Sequence, residues 1–94
     1  MDRDLTLTLE KFNRFLMKKE PIVDGIAYRF MFPNDYGASV ISHSGSYGGR
    51  LGLWEVAVLK DNEICYTTPI TPDVLGFLED SEVKDVLTDI FNLK

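Results

Sequence analysis

Ile26-Ala27-Tyr28-Arg29-Phe30-Met31-Phe32 is the stretch that decides the fold. Ile26, Tyr28, Phe30 and Phe32 fall at every second position, with Ala27, Arg29 and Met31 between them. A period of two places the large side chains on one face of a strand, and aromatic and β-branched residues suit that pleated surface. Pro33-Asn34-Asp35-Tyr36-Gly37 follows. Proline presets the first corner of a turn, Asn and Asp tolerate tight turns, and Gly permits positive φ. Residues 38–43 read as the returning strand of a hairpin.

Further along, Ser44-Gly45-Ser46-Tyr47-Gly48-Gly49-Arg50 is the least core-like part of the chain. Three glycines and two serines predict a flexible or sharply bent loop, pushed out into water. Residues 51–60 form the longest strand candidate. Leu53, Trp54, Val56, Val58 and Leu59 make it apolar on both faces, as a central strand requires. Residues 60–63 read as a turn and 64–67 as a fourth strand. No connection is long enough for a parallel crossover, so the strands form an antiparallel meander.

Helical spacing appears at both ends. In residues 8–19, Leu9, Phe12, Phe15 and Leu16 share one side, with Thr6 or Thr8 as N-cap and Pro21 as terminator. Thr71-Pro72-Asp73 reads as a helix start, followed by an apolar edge of Val74, Leu75 and Leu78. A second helix begins near Ser81, capped by Asp80 or Ser81, with Val83, Val86, Leu87, Ile90 and Phe91 as its buried stripe. The expected fold is α+β: a four-stranded antiparallel meander sheet packed by an N-terminal helix and two C-terminal helices. Residues 1–94 form a single domain of ordinary size.

Composition narrows the function classes. Apolar residues are 45% and charged residues 27%, too rich in core formers for disorder. No run approaches the roughly 20 apolar residues of a membrane span. One cysteine excludes an intrachain disulfide, and one Cys with one His excludes a Cys/His zinc site. The net charge is −5, spread as +1 over residues 1–50 and −6 over residues 51–94. An acidic surface repels phosphate backbones, so nucleic acid is disfavoured, while a basic partner is suited. The polar start Met1-Asp2-Arg3-Asp4 and the lone thiol fit a cytoplasmic protein.

Four strings, Tyr36-Gly37-Ala38-Ser39-Val40-Ile41, Tyr47-Gly48-Gly49, Gly52-Leu53-Trp54-Glu55-Val56-Ala57-Val58 and Cys65-Tyr66-Thr67-Thr68-Pro69-Ile70-Thr71, carry a resemblance. The chain resembles, over about residues 28–92, a family of small uncharacterised bacteriophage and prophage proteins. The resemblance implies an intracellular phage accessory protein acting on a host factor, and it brings no activity with it.

Candidate site residues cluster around the glycine loop. His43 opens it, where a lone imidazole could act as a base, although a surface histidine at a strand end is the commoner role. A Cys65–His43 pair would need hydrogen-bond reach, and a buried structural cysteine is the commoner case. The loop could offer amides to an anion, but a strand follows it instead of a helix, and no Lys-Ser or Lys-Thr pair is present. Tyr47 and Arg50 beside Trp54 form a contact patch of hot-spot residue types, although a core anchor is the commoner role for Trp54 in an otherwise buried strand. Glu82, Asp85 and Asp89 read as a solvated helix face.

The leading expectation is a non-enzymatic binding module that engages a host protein through Tyr47, Arg50, Trp54 and His43. No catalytic residue, metal ligand or cofactor is assigned, and no membrane is engaged. One alternative is a small nucleotide-binding or hydrolytic enzyme using the loop 44–50. Another is a self-associating structural protein, a homodimer joined through Tyr28, Phe30 and Phe32.

Overall fold

A computed structural model of the chain describes Leu5, residues 8–71 and residues 73–94. Its architecture is α+β. An antiparallel sheet carries one α-helix at its C-terminal end. The strands are β1 (Leu16–Ile22), β2 (Gly25–Met31), β3 (Tyr36–Ser42), β4 (Trp54–Lys60), β5 (Glu63–Ile64) and β6 (Leu75–Leu78), followed by α1 (Asp80–Phe91). The sheet runs β1-β2-β3-β4-β5, with β6 also pairing β4.

The alternation in β2 behaves as its sequence predicts. Tyr28, Phe30 and Phe32 are buried, and so are Ala38 and Val40 of β3 and Trp54, Val56 and Val58 of β4. Val83, Leu87 and Ile90 of α1 close over this face. Burying these side chains supplies the main stabilisation of the fold. In β4, Ala57 and Leu59 are buried as well, so this strand is buried on both faces and flanked on both edges.

Several expectations are corrected. The N-terminal helix over 8–19 is a 3-10 helix, Glu10–Phe15, that runs directly into β1. Leu9, Phe12 and Phe15 recur every three residues, the period of a 3-10 turn, which stacks side chains three apart. Lys18, Lys19, Glu20 and Pro21 then pair with β2. Lysines and a proline are what an edge strand tolerates and uses to deter further pairing. Leu9, not Thr8, stands at the cap of the 3-10 helix; Thr6 lies outside the described residues.

The sheet thus has more than four strands, and the expected fourth, 64–67, shrinks to the two-residue β5. The first C-terminal helix is β6. Thr71 Oγ1 still accepts the Asp73 N–H at 3.1 Å, but this closes a local turn without starting a helix; Pro72 lies outside the described residues. Residues 74–78 contain Gly76 and make barely one turn of helix, whereas the open edge of β4 at Trp54–Val56 offers backbone partners. The second helix forms as expected, except that Glu79 is its cap. Glu79 and Glu82 make a reciprocal capping box, with Glu79 N–H donating to Glu82 Oε1 at 3.0 Å. Asp80 instead accepts the Trp54 Nε1–H at 2.8 Å.

Tyr28, Phe30 and Phe32, the face proposed for a homodimer, are at most 5% exposed. The 3-10 helix and α1 cover it. Phe12, Phe32 and Phe91 interlock with centroids 5.6 to 6.2 Å apart. Asn34 of the β2–β3 turn fastens the helix to the sheet. Its Nδ2 donates to the carbonyls of Ile90, Phe91 and Leu93 at 2.9 to 3.0 Å, satisfying groups that a helix end leaves unpaired. Among the described residues, no helix is long and apolar enough to cross a membrane.

Candidate functional site

The chain leaving β3 at Ser42 is tied down at almost every step. Ser46 Oγ accepts the His43 N–H at 3.0 Å and donates to His43 O at 2.9 Å. Ser46 N–H closes the turn onto the same carbonyl, and Gly49 N–H bonds Ser46 O. Gly45 N–H donates to His43 Nδ1 at 3.0 Å, which makes that ring nitrogen the acceptor. Ser44 N–H and Oγ–H both donate to the Asp24 carboxylate, at 2.9 and 2.5 Å. Tyr47 N–H donates to Glu55 Oε1 at 3.0 Å. Gly48 adopts φ +87°, and a Cβ on Gly49 would lie 1.8 Å from His43 O, so neither position accepts a side chain without rearrangement. Of the two expectations, flexible or sharply bent, the segment meets the second: it is a bent, cross-braced platform.

Two consequences follow for the sequence-derived candidates. The amides of Ser44, Gly45, Ser46, Tyr47 and Gly49 are engaged internally, so these five are not free to cradle an anion. Trp54 is wholly buried against Tyr28 (centroids 5.8 Å apart), so it is a core anchor and does not share a surface with Tyr47 and Arg50. His43 is half-buried at the start of the platform, and Arg50 is exposed on its short 3-10 turn, Gly49–Leu51.

The structure adds a residue that the sequence reading missed. β6 meets β4 through a bulge: Trp54 pairs Leu78 and Val56 pairs Leu75, so Gly76 and Phe77 both oppose Glu55. Phe77 has φ 57° and is 56% exposed. Its N–H donates to Tyr47 O at 3.2 Å. Gly76 lies so close beneath Tyr47 that a Cβ there would come within 2.4 Å of the tyrosine Cβ. Tyr47 is itself 59% exposed. Two exposed aromatics are thus displayed from backbones that are bonded together, one of them in a conformation a bulky side chain rarely adopts. The signal in the sequence is Gly76 within a short apolar run, which marks a bulge when the run is a strand.

Asp24 latches the platform to the β1–β2 turn. Its carboxyl is held below the usual range, first by the Ser44 hydroxyl and then by the Ser44 amide, with His43 and Arg50 adding a smaller electrostatic pull. The folded state therefore binds fewer protons at Asp24 than the unfolded chain does. The latch's contribution is present above the ordinary Asp pKa and is lost as pH falls through the lowered one. Titrating the Ser44 amide by NMR should show a transition below the ordinary carboxylate range. Asp24→Asn should abolish it, and an acid-insensitive Ser44 amide would count against the latch.

Cys65 is half-buried, not enclosed in the core. Its Sγ lies 3.4 Å from Thr67 Oγ1. The Thr67 side chain and then its backbone lower the thiol's pKa, with a smaller pull from Lys60. Thr67→Val should slow alkylation of Cys65 severalfold at neutral pH, measured by thiol-reagent kinetics; an unchanged rate would show that Thr67 does not set its reactivity. Cys65 and His43 do not form a pair. Cys65 N–H bonds Val58 O, whereas His43 follows Ser42, whose hydroxyl donates to Leu53 O. Five residues of β4 direction separate those two positions, roughly 17 Å at about 3.4 Å per residue. Among the described residues, no group of three or more His, Cys, Asp or Glu side chains converges as a metal site would require.

No protein-family model, curated protein or solved structure matches this chain. The phage resemblance therefore rests on its short motifs alone.

Proposed function

We propose that this protein is a non-enzymatic binding module that holds a partner protein against Tyr47 and Phe77, with Arg50 at the border of the contact. The observation that carries the reading is Phe77. A bulky residue at φ 57° stores backbone strain of about 1–3 kcal/mol. A side chain buried in the core could offset that strain by packing, but this ring is 56% exposed. Strain combined with exposure fits a surface shaped for contact, and Tyr and Arg are residue types enriched where binding energy concentrates.

Several features favour binding over catalysis. The imidazole and thiol are far apart, five loop amides are engaged, and the platform is rigidly braced. A braced platform also lowers the entropy lost on association. The phage resemblance implies that the partner is a host protein.

The test is affinity capture from host lysate with the intact chain and with Tyr47→Ala, Phe77→Ala and Arg50→Ala. The captured partner should be lost with Tyr47→Ala and Phe77→Ala, and Arg50→Ala, at the border, should change capture less than either. Undiminished capture by all three variants would remove this surface from the function.

A further inference from the structure

We propose that the surface around Tyr47 and Phe77 takes a basic protein segment, a Lys- or Arg-rich stretch carrying one large apolar side chain. This rests on the binding reading above and names the chemistry of its partner. Four carboxylates lie on the segments framing the two aromatics, with Arg50 at the border of the platform and Lys60 at the far end of β4. Residues 73–80, which are β6 and its flanks, hold Asp73, Glu79 and Asp80 and no base; residues 51–59 hold Glu55 and no base. Asp73 and Glu79 are exposed, while Glu55 and Asp80 are half-buried. Glu55 lies under the aromatics themselves: it faces the Gly76–Phe77 bulge, and its Oε1 accepts the Tyr47 N–H. Arg50 is the exposed base at the border of this surface, with only a small electrostatic pull on Asp24, and the carboxylates outnumber it.

Apolar anchors inside an acidic frame complement the reverse pattern. An apolar side chain would lie against Tyr47 and Phe77, and ammonium or guanidinium groups would face the carboxylates. Arginine and lysine suit both halves of the surface, because they pair with carboxylates and also lie over aromatic faces. The same field repels phosphate backbones and anionic lipid surfaces, which favours a protein segment over nucleic acid or a membrane.

The full-length, isotope-labelled chain is titrated with three synthetic peptides of equal length while amide shifts are followed. One alternates lysine with serine around a central tryptophan. The second replaces each lysine by glutamate, and the third replaces the tryptophan by serine. The first peptide should shift the Tyr47, Gly48, Gly76 and Phe77 amides, the glutamate peptide should not, and the serine peptide should bind much more weakly. Raising salt from about 0.1 M to about 1 M shortens the screening length from roughly 10 Å to roughly 3 Å and should weaken the first peptide about tenfold. Glu55→Gln keeps an acceptor for the Tyr47 amide and should still weaken it, as should Asp73→Asn with Glu79→Gln. Binding of the glutamate peptide at the same amides would overturn the charge assignment and leave the binding reading standing. Shifts confined to the exposed acids of α1, or none at the four amides with any peptide, would overturn the proposal. The binding reading fails separately, by partner capture that survives alanine at positions 47 and 77.

Discussion

Trp54→Ala should remove a large part of the protein's stability. The indole is completely buried, packs edge-on against Tyr28, and donates its Nε1–H to Asp80 at the first turn of α1. Truncating a buried tryptophan costs about 3–5 kcal/mol, because transfer energy is lost and a cavity remains. A small domain has only about 5–15 kcal/mol in total. For a domain of this size, each kcal/mol moves the melting temperature by roughly 4–8 °C. A calorimetric or circular-dichroism melt should therefore fall by roughly 15 °C or more. Trp54→Phe should fall less, since the ring volume is partly kept while the donor to Asp80 is removed. A melt for Trp54→Ala within a few degrees of the parent would mean that Trp54 does not join sheet and helix as described.

Phe77→Gly should weaken partner binding and raise stability at the same time. Glycine adopts φ 57° without steric penalty, so the substitution relieves that backbone strain of about 1–3 kcal/mol. Phe77 is just over half exposed, so the packing lost is less than half of what a fully buried phenylalanine would forfeit. Binding should drop by about 2 kcal/mol or more, as for other aromatic hot spots, which is a factor of roughly 30. Phe77→Ala separates the two effects: it removes the ring and keeps the strain, so binding should fall without a gain in melting temperature. The measurements are thermal melts paired with titration of the captured partner. If Phe77→Gly lowers the melting temperature, the ring is a packing residue and the surface has no claim on function. Such opposed effects on stability and binding are what a strained functional position produces.

Local patterning made several features legible. Tyr28, Phe30 and Phe32 alternate strongly enough to predict both strand and buried face, and the stripe Val83, Leu87 and Ile90 predicts α1. Leu59, apolar on the face opposite Trp54, Val56 and Val58, marks β4 as central, and it is buried. Exposure of Tyr47 and Arg50 followed from a stretch too poor in apolar residues to pack. Trp54 reads first as a core anchor in an otherwise buried strand, and its full burial bears out that reading over its place among the contact candidates.

The sequence by itself determined the antiparallel core of the sheet, the closing helix and the position of the glycine turn. All of these arise from side-chain periodicity and turn chemistry within a few residues. Only the tertiary structure decided β1 and β6, since Lys18-Lys19-Glu20 and Leu75-Gly76-Phe77-Leu78 become strands by pairing with β2 and β4. Backbone groups on an open sheet edge need partners, and that demand comes from residues distant in the chain. The same long-range pairing sets Phe77 beside Tyr47, thirty residues away in sequence, and so creates the candidate surface.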